Sequence, residues 1–260
     1  MPAVQRDVVR NRTLSLEGWH LRGQVEAFPA HFHDYYVLGV VEEGVRRLQY
    51  RGAAYDIGPG DLLLFNPGDP HACVQDSGEG FDYRSLHLPV QVVEALCGPV
   101  RFACPVARDP RAAASLRRFH QSVMEGGARE MEGLAQWVRR YAALPEQRGE
   151  MERTGVEAAC AFMAAHYSQR LTLQDIAQPA GMSVSTLLRT FARTKGLTPH
   201  VYLESLRISA AQALLEQGVS PAQAALETGF SDQSHFTHRF SRLLGLTPGA
   251  YRDSAERTRP

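Results

Sequence analysis

The sequence contains almost no lysine. Lys195 is the only lysine among 260 residues, and 28 basic residues balance 28 acidic ones, so the formal net charge is zero. A neutral chain neither supports nor excludes binding to nucleic acid, because the placement of arginines on helices matters more than their total. Any phosphate contacts must come mainly from arginine side chains and backbone amides.

Long apolar segments and cysteine are also scarce. No stretch of about 18 apolar residues is present, and the N-terminus lacks the apolar core of a signal peptide. These absences predict a cytoplasmic protein with no membrane association. The four cysteines show no CxxC spacing and are too few for a disulfide scaffold, so we expect reduced, mostly buried thiols. They are Cys73, Cys97, Cys104 and Cys160.

The C-terminal part of the sequence contains an internal repeat. The tripeptide GMS at 181–183 recurs as GFS at 229–231, 48 residues later, and GLTPHVY at 196–202 recurs as GLTPGAY at 245–251, 49 residues later. Each copy carries polar N-caps, a turn glycine and a closing glycine. This pattern predicts two helix-turn-helix units, whose second helices usually enter the major groove of DNA.

Polar caps and proline set the predicted helix ends within the repeat. Pro179 lies late in the first support helix, predicted over 173–180, and should kink its last turn. Between the copies, a helix predicted from Pro199 to about residue 217 would be roughly 28 Å long. A strut of this length can hold two recognition helices about one turn of DNA, roughly 34 Å, apart. The predicted caps of the helix-turn-helix units are Thr172, Ser183, Ser220 and Ser231.

Residues 21–90 contain short apolar stretches separated by glycine, proline and acidic residues. Punctuation of this kind is typical of small antiparallel sheets, and here it predicts a β-barrel. Residues 1–20 show no strong periodicity and are expected to form an arm or an edge strand. The predicted strands are 21–28, 31–42, 45–50, 53–57, 61–65, 71–74 and 82–88.

Three histidines and a tyrosine are candidates for a binding pocket in this barrel. His31, His33 and Tyr35 alternate onto one face of a strand, and His71 can join them from across the barrel. Three imidazoles are a plausible set of metal ligands. The competing interpretations are a metal-free pocket of polar and aromatic groups, with Asn66 in its lining, and histidines that only satisfy hydrogen bonds at strand ends.

Residues 110–144 have helical spacing instead. Two apolar stripes, separated by a double glycine, predict a helical hairpin. One stripe can pack on the barrel and the other can meet a second copy of the protein, or both can be internal core. The polar segment 145–153 is the predicted linker, so the predicted domains are 1–144 and 154–260.

Taken together, the two parts resemble the AraC family of bacterial transcription regulators. The C-terminal match, over about residues 155–252, rests on the GMS and GFS turns, the segment FSDQSHF and the two GLTP segments. The N-terminal match, over about residues 20–90, is to the cupin-like effector domain of that family. It rests on HFH at 31–33 with the EG pair at 43–44, and on PGDPH at 67–71.

The resemblance implies an α+β protein of two domains. The N-terminal domain would be a cupin-like antiparallel β-barrel with a helical hairpin, and the C-terminal domain would be all-α with two helix-turn-helix units. The implied function is sequence-specific DNA binding and transcription regulation, modulated by a small molecule in the barrel. Double-stranded DNA and the effector are the implied partners, RNA polymerase is a further candidate, and residues 112–143 are the candidate surface for a homodimer. The candidate effector contacts are His31, His33, Tyr35, Asn66 and His71.

One departure from metal-binding cupins bears on cofactors. Those proteins carry a glutamate or glutamine four or five residues after the second histidine, where this chain has Val37 and Leu38. We therefore expect no bound metal, no other cofactor and no catalytic residue. A metal-dependent cupin enzyme with an appended helical domain is the main alternative, and an adaptor that no longer binds DNA is the other.

The resemblance also implies which side chains contact DNA. Arg189 is the strongest candidate for reading a base, because a guanidinium can bond both O6 and N7 of guanine, with a phosphate contact as the alternative. His238 stands where the family commonly has arginine, so we expect weaker, pH-sensitive binding by the second unit and more specificity from the first. The candidate base contacts are Ser185, Leu188, Arg189, Ser234, His235 and His238, and the candidate phosphate contacts are Arg193, Lys195, Arg239 and Arg242.

Overall fold

A computed structural model of the protein describes residues 5–11, 14–74, 80–127, 131–143 and 151–256. The chain divides into two compact units, with the main boundary between Pro145 and Glu146. Residues 145–150 of the predicted linker lie outside the described residues. None of the described helices is long and apolar enough to cross a membrane.

The N-terminal unit combines antiparallel sheets with three helices. The strands form a six-stranded sheet of order β1-β2-β9-β4-β7-β11, a four-stranded sheet of order β3-β8-β5-β6, and the pair β10-β12. In chain order the elements are β1 (Gln5–Asn11), β2 (Leu16–Gln24), β3 (Phe28–His31), β4 (Tyr35–Glu43), β5 (Arg46–Tyr50), β6 (Ala53–Ile57), β7 (Leu62–Phe65), β8 (His71–Val74), β9 (Phe81–Pro89), α1 (Val90–Cys97), β10 (Arg101–Phe102), β11 (Val106–Ala107), α2 (Pro110–Met124), α3 (Met131–Tyr141) and β12 (Ala142–Ala143).

The predicted cupin-like antiparallel architecture is confirmed, with one difference in closure. The described strands form separate sheets and not one closed barrel. The predicted arm over residues 1–20 supplies the edge strand β1 and most of its partner β2, which pair along their whole length from Gln5 with Arg22 to Asn11 with Leu16.

Strands β4 and β9 lie in the middle of the six-stranded sheet, and their side chains alternate between two buried faces. Leu38 is paired with Leu86, and both pack against α2 and α3 in one apolar cluster. Val37 is paired with His87 on the opposite face, where Val37 packs with Leu48 of β5. Because both faces are covered, β4 is apolar nearly throughout and not alternating.

The helical hairpin forms as predicted, and both of its apolar stripes are internal. Asp109 caps α2 by accepting hydrogen bonds from the backbone amides of Arg111 and Ala112, both at 3.0 Å. The two stripes pack into the same cluster beneath the six-stranded sheet, so neither remains as an apolar surface for a second copy. The stripe residues are Leu116, Phe119 and Val123 of α2, and Leu134, Trp137 and Val138 of α3.

The C-terminal unit is all-α, as predicted. Its caps at Thr172, Ser183, Thr198 and Ser220 each accept a hydrogen bond from a backbone amide three residues later. The helices are α4 (Met151–His166), α5 (Leu173–Ala177), α6 (Val184–Lys195), α7 (Pro199–Glu216), α8 (Pro221–Glu227), α9 (Gln233–Leu244) and α10 (Pro248–Glu256).

Two predicted details of the repeat are wrong. Helix α5 ends at Ala177, before Pro179, so the proline follows the helix and does not kink it. Helix α9 is capped by Asp232, which accepts from the amide of His235 at 2.7 Å, and not by Ser231. The second copy has one extra residue between the turn glycine and the cap. This insertion explains why the two echoes in the sequence are offset by 48 and by 49 residues.

A buried histidine joins the hairpin to the six-stranded sheet. His120 of α2 donates from Nε2 to the backbone oxygen of Trp19 at 2.8 Å, and its Nδ1 has no hydrogen-bond partner among the described residues. Burial lowers the pKa of His120 to about 4, while the hydrogen bond to Trp19 acts in the opposite direction. The imidazole is therefore neutral in the folded protein at neutral pH.

This burial predicts an acid-sensitive fold. The unfolded chain binds a proton at His120 near pH 6.5 and the folded chain only near pH 4, so this contribution to stability is full above about pH 6.5 and is lost as the pH falls to 4. The loss is on the order of 3 kcal/mol at most. His120→Gln keeps the donor to Trp19 but cannot titrate, so urea unfolding should show a shallower decline over that window. His238→Gln, at an exposed position, is the control, and an equal change in both variants would contradict the prediction.

Candidate DNA-binding surface and effector site

Helix α6 presents one polar face to solvent. Leu187 and Phe191 are fully buried, and Thr190 is 8% exposed, which fixes the inward side of the helix. Leu188 is 37% exposed and belongs to the opposite side. The predicted DNA contacts of the first unit all lie on this outward side. They are Ser185, Leu188, Arg189 and Arg193.

Helix α9 presents the equivalent face, once its positions are matched to those of α6 by the 49-residue offset. Ser185 then corresponds to Ser234, Arg189 to His238, and Arg193 to Arg242. All three second-copy residues are exposed, whereas Phe236 and Phe240 are fully buried. The two helices thus offer stripes of the same spacing, with a histidine in place of the central arginine in the second.

Arg239, predicted to contact phosphate, points inward instead. It forms an ion pair with Glu204 of α7, whose side chain is 5% exposed. The equivalent position in the first copy is Thr190, which is buried, whereas the side chain of Arg239 is 25% exposed. His235 is exposed, with Nε2 at 3.8 Å from Glu204 Oε1. Arg242, the other predicted phosphate contact of α9, lies one turn further along the helix and is exposed.

In the N-terminal unit, four near-parallel aromatic rings from β2, β9, β4 and His33 lie together, and the His33 centroid is also 6.1 Å from that of His87. The centroids of Trp19 and His87 are 5.0 Å apart, those of His87 and Tyr35 are 4.8 Å apart, and those of Tyr35 and His33 are 4.8 Å apart. Interplanar angles are between 17° and 21°. We call Trp19, His87, Tyr35 and His33 the aromatic row.

Polar groups surround the buried end of the aromatic row. Glu17 accepts a hydrogen bond from Trp19 Nε1 at 2.8 Å and forms an ion pair with Arg10. Ser85 Oγ lies 3.1 Å from His87 Nε2. Burial lowers the pKa of His87 to about 4, against the opposite influence of Glu17. His87 is therefore a neutral ring at physiological pH, suited to stacking and hydrogen bonding.

The three predicted pocket histidines come together. His31 ends β3, His71 begins the neighbouring strand β8, and one ligand nitrogen from each of His31, His33 and His71 lies within 4.8 Å of the others. His31 and His71 are buried and His33 is half-buried. His33 belongs both to this cluster and to the aromatic row.

Asn66 has a different role from the one predicted. Its side chain is 2% exposed, accepts from the amide of Phe102 at 2.7 Å and donates to the Phe102 carbonyl at 3.0 Å and to Asp69 Oδ2 at 3.0 Å. Tyr50 donates to the same Asp69 carboxylate. These bonds tie the loop before β8 to β10, so Asn66 supports the position of His71 and does not face a ligand.

Trp19, His87 and Glu17 were not predicted as site residues. Trp19 and Glu17 lie in the segment interpreted as an arm, and His87 lies in a strand without an obvious motif. The sequence feature that could have identified these residues is the alternation along each strand. It places Glu17 and Trp19 on one face of β2, and Ser85 and His87 on one face of β9. Only the register between β2 and β9 shows that these faces coincide.

Comparisons with known proteins agree with this division of sites. Residues 13–137 match the AraC-like ligand binding domain, and residues 176–254 match a helix-turn-helix domain. A relative from Bacillus subtilis strain 168, the uncharacterized HTH-type transcriptional regulator YbfI, is 38% identical over 241 residues, covering 85% of this chain and 86% of the relative. The chain belongs to the AraC family of transcription regulators.

A further relative and a solved structure are similar to this AraC-family protein over nearly its full length. The HTH-type transcriptional activator RhaS of Pectobacterium carotovorum is 25% identical over 248 residues, covering 88% of this chain and 89% of the relative. The crystal structure of ToxT from Vibrio cholerae O395 superimposes with a TM-score of 0.62 at 14% identity, covering 93% of this chain and 98% of ToxT. ToxT supports the two-domain fold.

Family membership fixes the class of function. The protein is a DNA-binding transcription regulator with an N-terminal ligand-binding domain, and its activity is modulated by an effector. Its relatives over nearly the full chain are named as transcription regulators and activators, so the alternative of a metal-dependent cupin enzyme is set aside.

The inward direction of Arg239 predicts that it stabilises the fold of this AraC-family protein. Arg239→Met would leave the Glu204 carboxylate buried without its cation, which should lower the free energy of unfolding by about 2 to 3 kcal/mol. Arg242→Met, on the exposed face, should change it by less than about 0.5 kcal/mol. Urea unfolding followed by far-ultraviolet circular dichroism measures both. Equal stability of the two variants would return Arg239 to the candidate DNA contacts.

Proposed function

We propose that the outward faces of α6 and α9 bind successive major grooves on one side of the DNA. The observation that carries this proposal is the matching exposed stripe, Ser185, Arg189 and Arg193 in α6 and Ser234, His238 and Arg242 in α9. Helix α7 joins the two helix-turn-helix units and has 18 residues, a length of about 27 Å. That length suits recognition helices about one turn of DNA apart.

The two stripes would contribute unequally. Arg189 supplies a permanent positive charge and a bidentate donor, whereas His238 supplies an imidazole, which cannot make the same bidentate contact. With Arg239 engaged by Glu204, Arg242 is the arginine of α9 that lies on the outward face. The first unit would therefore provide most of the sequence discrimination, and the second would mainly add phosphate contacts.

Arg189→Ala tests the assignment of the first recognition helix. Binding to the promoter of its own or a neighbouring gene should weaken by about 10- to 100-fold, since one bidentate base contact contributes roughly 1 to 3 kcal/mol. Preference at one base pair should relax, and unfolding should be unaffected because Arg189 is exposed. Gel-shift titration over a range of salt concentrations measures these effects. Arg118→Ala, at an exposed arginine of the N-terminal unit, is the matched control.

Unchanged DNA binding by Arg189→Ala would contradict the assignment. Absence of any DNA binding by the wild-type protein, over a genomic selection of fragments, would favour an adaptor that uses the same helices to bind protein.

We further propose that the effector stacks on the aromatic row, with Tyr35 and His33 as its main contacts. Flat, parallel rings of this kind favour a ligand with a ring of its own, either an aromatic ring or the apolar face of a sugar. His31 and His71 would add polar contacts at the His33 end. Asn66 is left out because its hydrogen bonds are made to Phe102 and Asp69.

Trp19 provides a direct optical test of this effector site. The chain has two tryptophans, so Trp137→Phe leaves Trp19, which stacks on His87, as the sole reporter. We expect a saturable change in its fluorescence with the correct ring-containing metabolite, and at least about tenfold weaker binding in Tyr35→Ala. Trp19→Phe, which retains Trp137 in the helical hairpin, is the control. A signal that persists in that control would place the ligand elsewhere.

The function in transcription bears on the cellular location, the partner in transcription and the oligomeric state. We propose that the protein acts in the cytoplasm, where its DNA is, and that RNA polymerase is the partner through which bound protein changes transcription. The apolar stripes of the hairpin are buried within one chain, so a homodimer through residues 112–143 would use the polar outer faces of α2 and α3. The paired helix-turn-helix units allow one chain to occupy two grooves without a second copy.

A further inference from the structure

The cluster of His31, His33 and His71 has a chemistry that an organic effector does not require. Within the part of the chain that the structure describes, these three residues form the one group of histidine, cysteine or acidic side chains positioned to hold a metal ion. Their ligand nitrogens lie within 4.8 Å of one another. In a tetrahedral site, nitrogens that each lie about 2.1 Å from the ion are about 3.4 Å apart, so binding requires the most distant pair of nitrogens to approach by at most about 1.4 Å.

Backbone hydrogen bonds hold the three histidines in place. Strand β3, which ends at His31, is hydrogen-bonded to β8, which begins at His71. Beyond β3, the carbonyl of His33 accepts from the amide of Gly68 at 2.7 Å, so His33 is bound to the loop that leads into β8. The cluster therefore does not depend on flexible side chains meeting by chance.

A backbone hydrogen bond fixes the tautomer of the His71 ring. Its Nδ1 lies 3.1 Å from the backbone oxygen of Asp69. A carbonyl oxygen can only accept, so Nδ1 carries the proton and Nε2 keeps its lone pair in the neutral ring. The ring also stacks on Phe65 at 4.1 Å. A backbone acceptor behind the ring is the common outer-shell arrangement of metal-binding histidines.

The donor set selects a class of metal. Three imidazoles without a carboxylate suit Zn²⁺ and similar divalent ions such as Co²⁺ and Ni²⁺, in contrast to Mg²⁺ or Ca²⁺, which prefer oxygen ligands. The position on β4 from which a carboxylate would complete a metal-cupin set is Val37, which is 1% exposed and packs in the apolar cluster with Leu48. The fourth coordination position would thus be left to water or to a donor atom of a ligand.

We propose that His31, His33 and His71 bind one divalent ion of the zinc class, with an open fourth position beside Tyr35. This proposal departs from the expectation, drawn from the missing glutamate, that the histidines bind no metal. The ion would make the protein responsive to metal supply, or would give the effector a donor-binding point next to the aromatic row. Metal binding itself does not depend on the proposed groove contacts or on the identity of the effector.

Titration of metal-free, full-length protein with Co²⁺ tests the proposal. Four-coordinate Co²⁺ absorbs visible light far more strongly than the hydrated ion, so saturation at one ion per chain and displacement by Zn²⁺ are expected. His71→Ala and His33→Ala should each weaken binding by at least about 100-fold. His200→Ala is the matched control, because this histidine lies on α7 with its side chain 72% exposed.

The possible results separate clearly. Absence of a strong visible band, or equal binding by wild-type protein and both site variants, overturns the site and leaves surface histidines as the cause of any binding. If His71→Ala fails to fold, His33→Gln decides, since His33 is only half-buried. The Co²⁺ spectrum is measured without DNA or effector, so a failure of the gel-shift or fluorescence experiments leaves this result intact.

Discussion

Two fully buried residues, Phe236 and Phe240, fix the rotation of the second recognition helix about its own axis, and the ion pair between Arg239 and Glu204 lies at the edge of that buried face. A carboxylate with 5% of its side chain exposed requires a nearby cation, and Arg239 supplies it from α9. With Phe236 and Phe240 buried, the helical repeat turns Ser234, His238 and Arg242 outward. In α6 the position equivalent to Arg239 is held by Thr190, a small polar residue. The two helix-turn-helix units therefore present stripes of the same spacing. In the second unit, one arginine is used for an ion pair within the protein.

A comparable constraint governs the N-terminal unit. The helices cover one face of the six-stranded sheet through Leu38 and Leu86, so the register of β4 and β9 sends Val37 and His87 to the other face. A slip of one residue would exchange these faces and expose the apolar set, so the packing that stabilises the domain also specifies which side chains can meet a ligand. The aromatic row is a consequence of that register, because Trp19, His87 and Tyr35 come from three neighbouring strands.

His33 would connect the two proposed kinds of recognition within this AraC-family domain. It stacks on Tyr35 at the end of the aromatic row and contributes a nitrogen to the cluster with His31 and His71. A ligand that stacks on His33 would also fix the ring that a metal ion needs, so occupancy of one site would change the affinity of the other by linkage. For either ligand to alter transcription, it must bind two arrangements of the protein with different affinity.

The sequence by itself determined the features that depend on neighbours within a few residues. The predicted caps form at Thr172, Ser183 and Ser220, and two strands have the predicted bounds, 53–57 and 71–74. Caps, turns and the residues that end strands depend on local interactions, which the sequence shows directly. Family motifs then added the two-domain architecture and the three clustered histidines.

Tertiary structure alone decided which partners distant residues take. Asn66 bonds Phe102, 36 residues away, and Arg239 pairs with Glu204, 35 residues away, so both leave the candidate ligand contacts. Trp19 and His87 enter the site only through the register of β2 and β9, and the apolar stripes of the hairpin became core because the sheet covers them. A polar side chain satisfies its charge or hydrogen bonds with whatever the fold brings nearest, and no local pattern in the sequence encodes that choice.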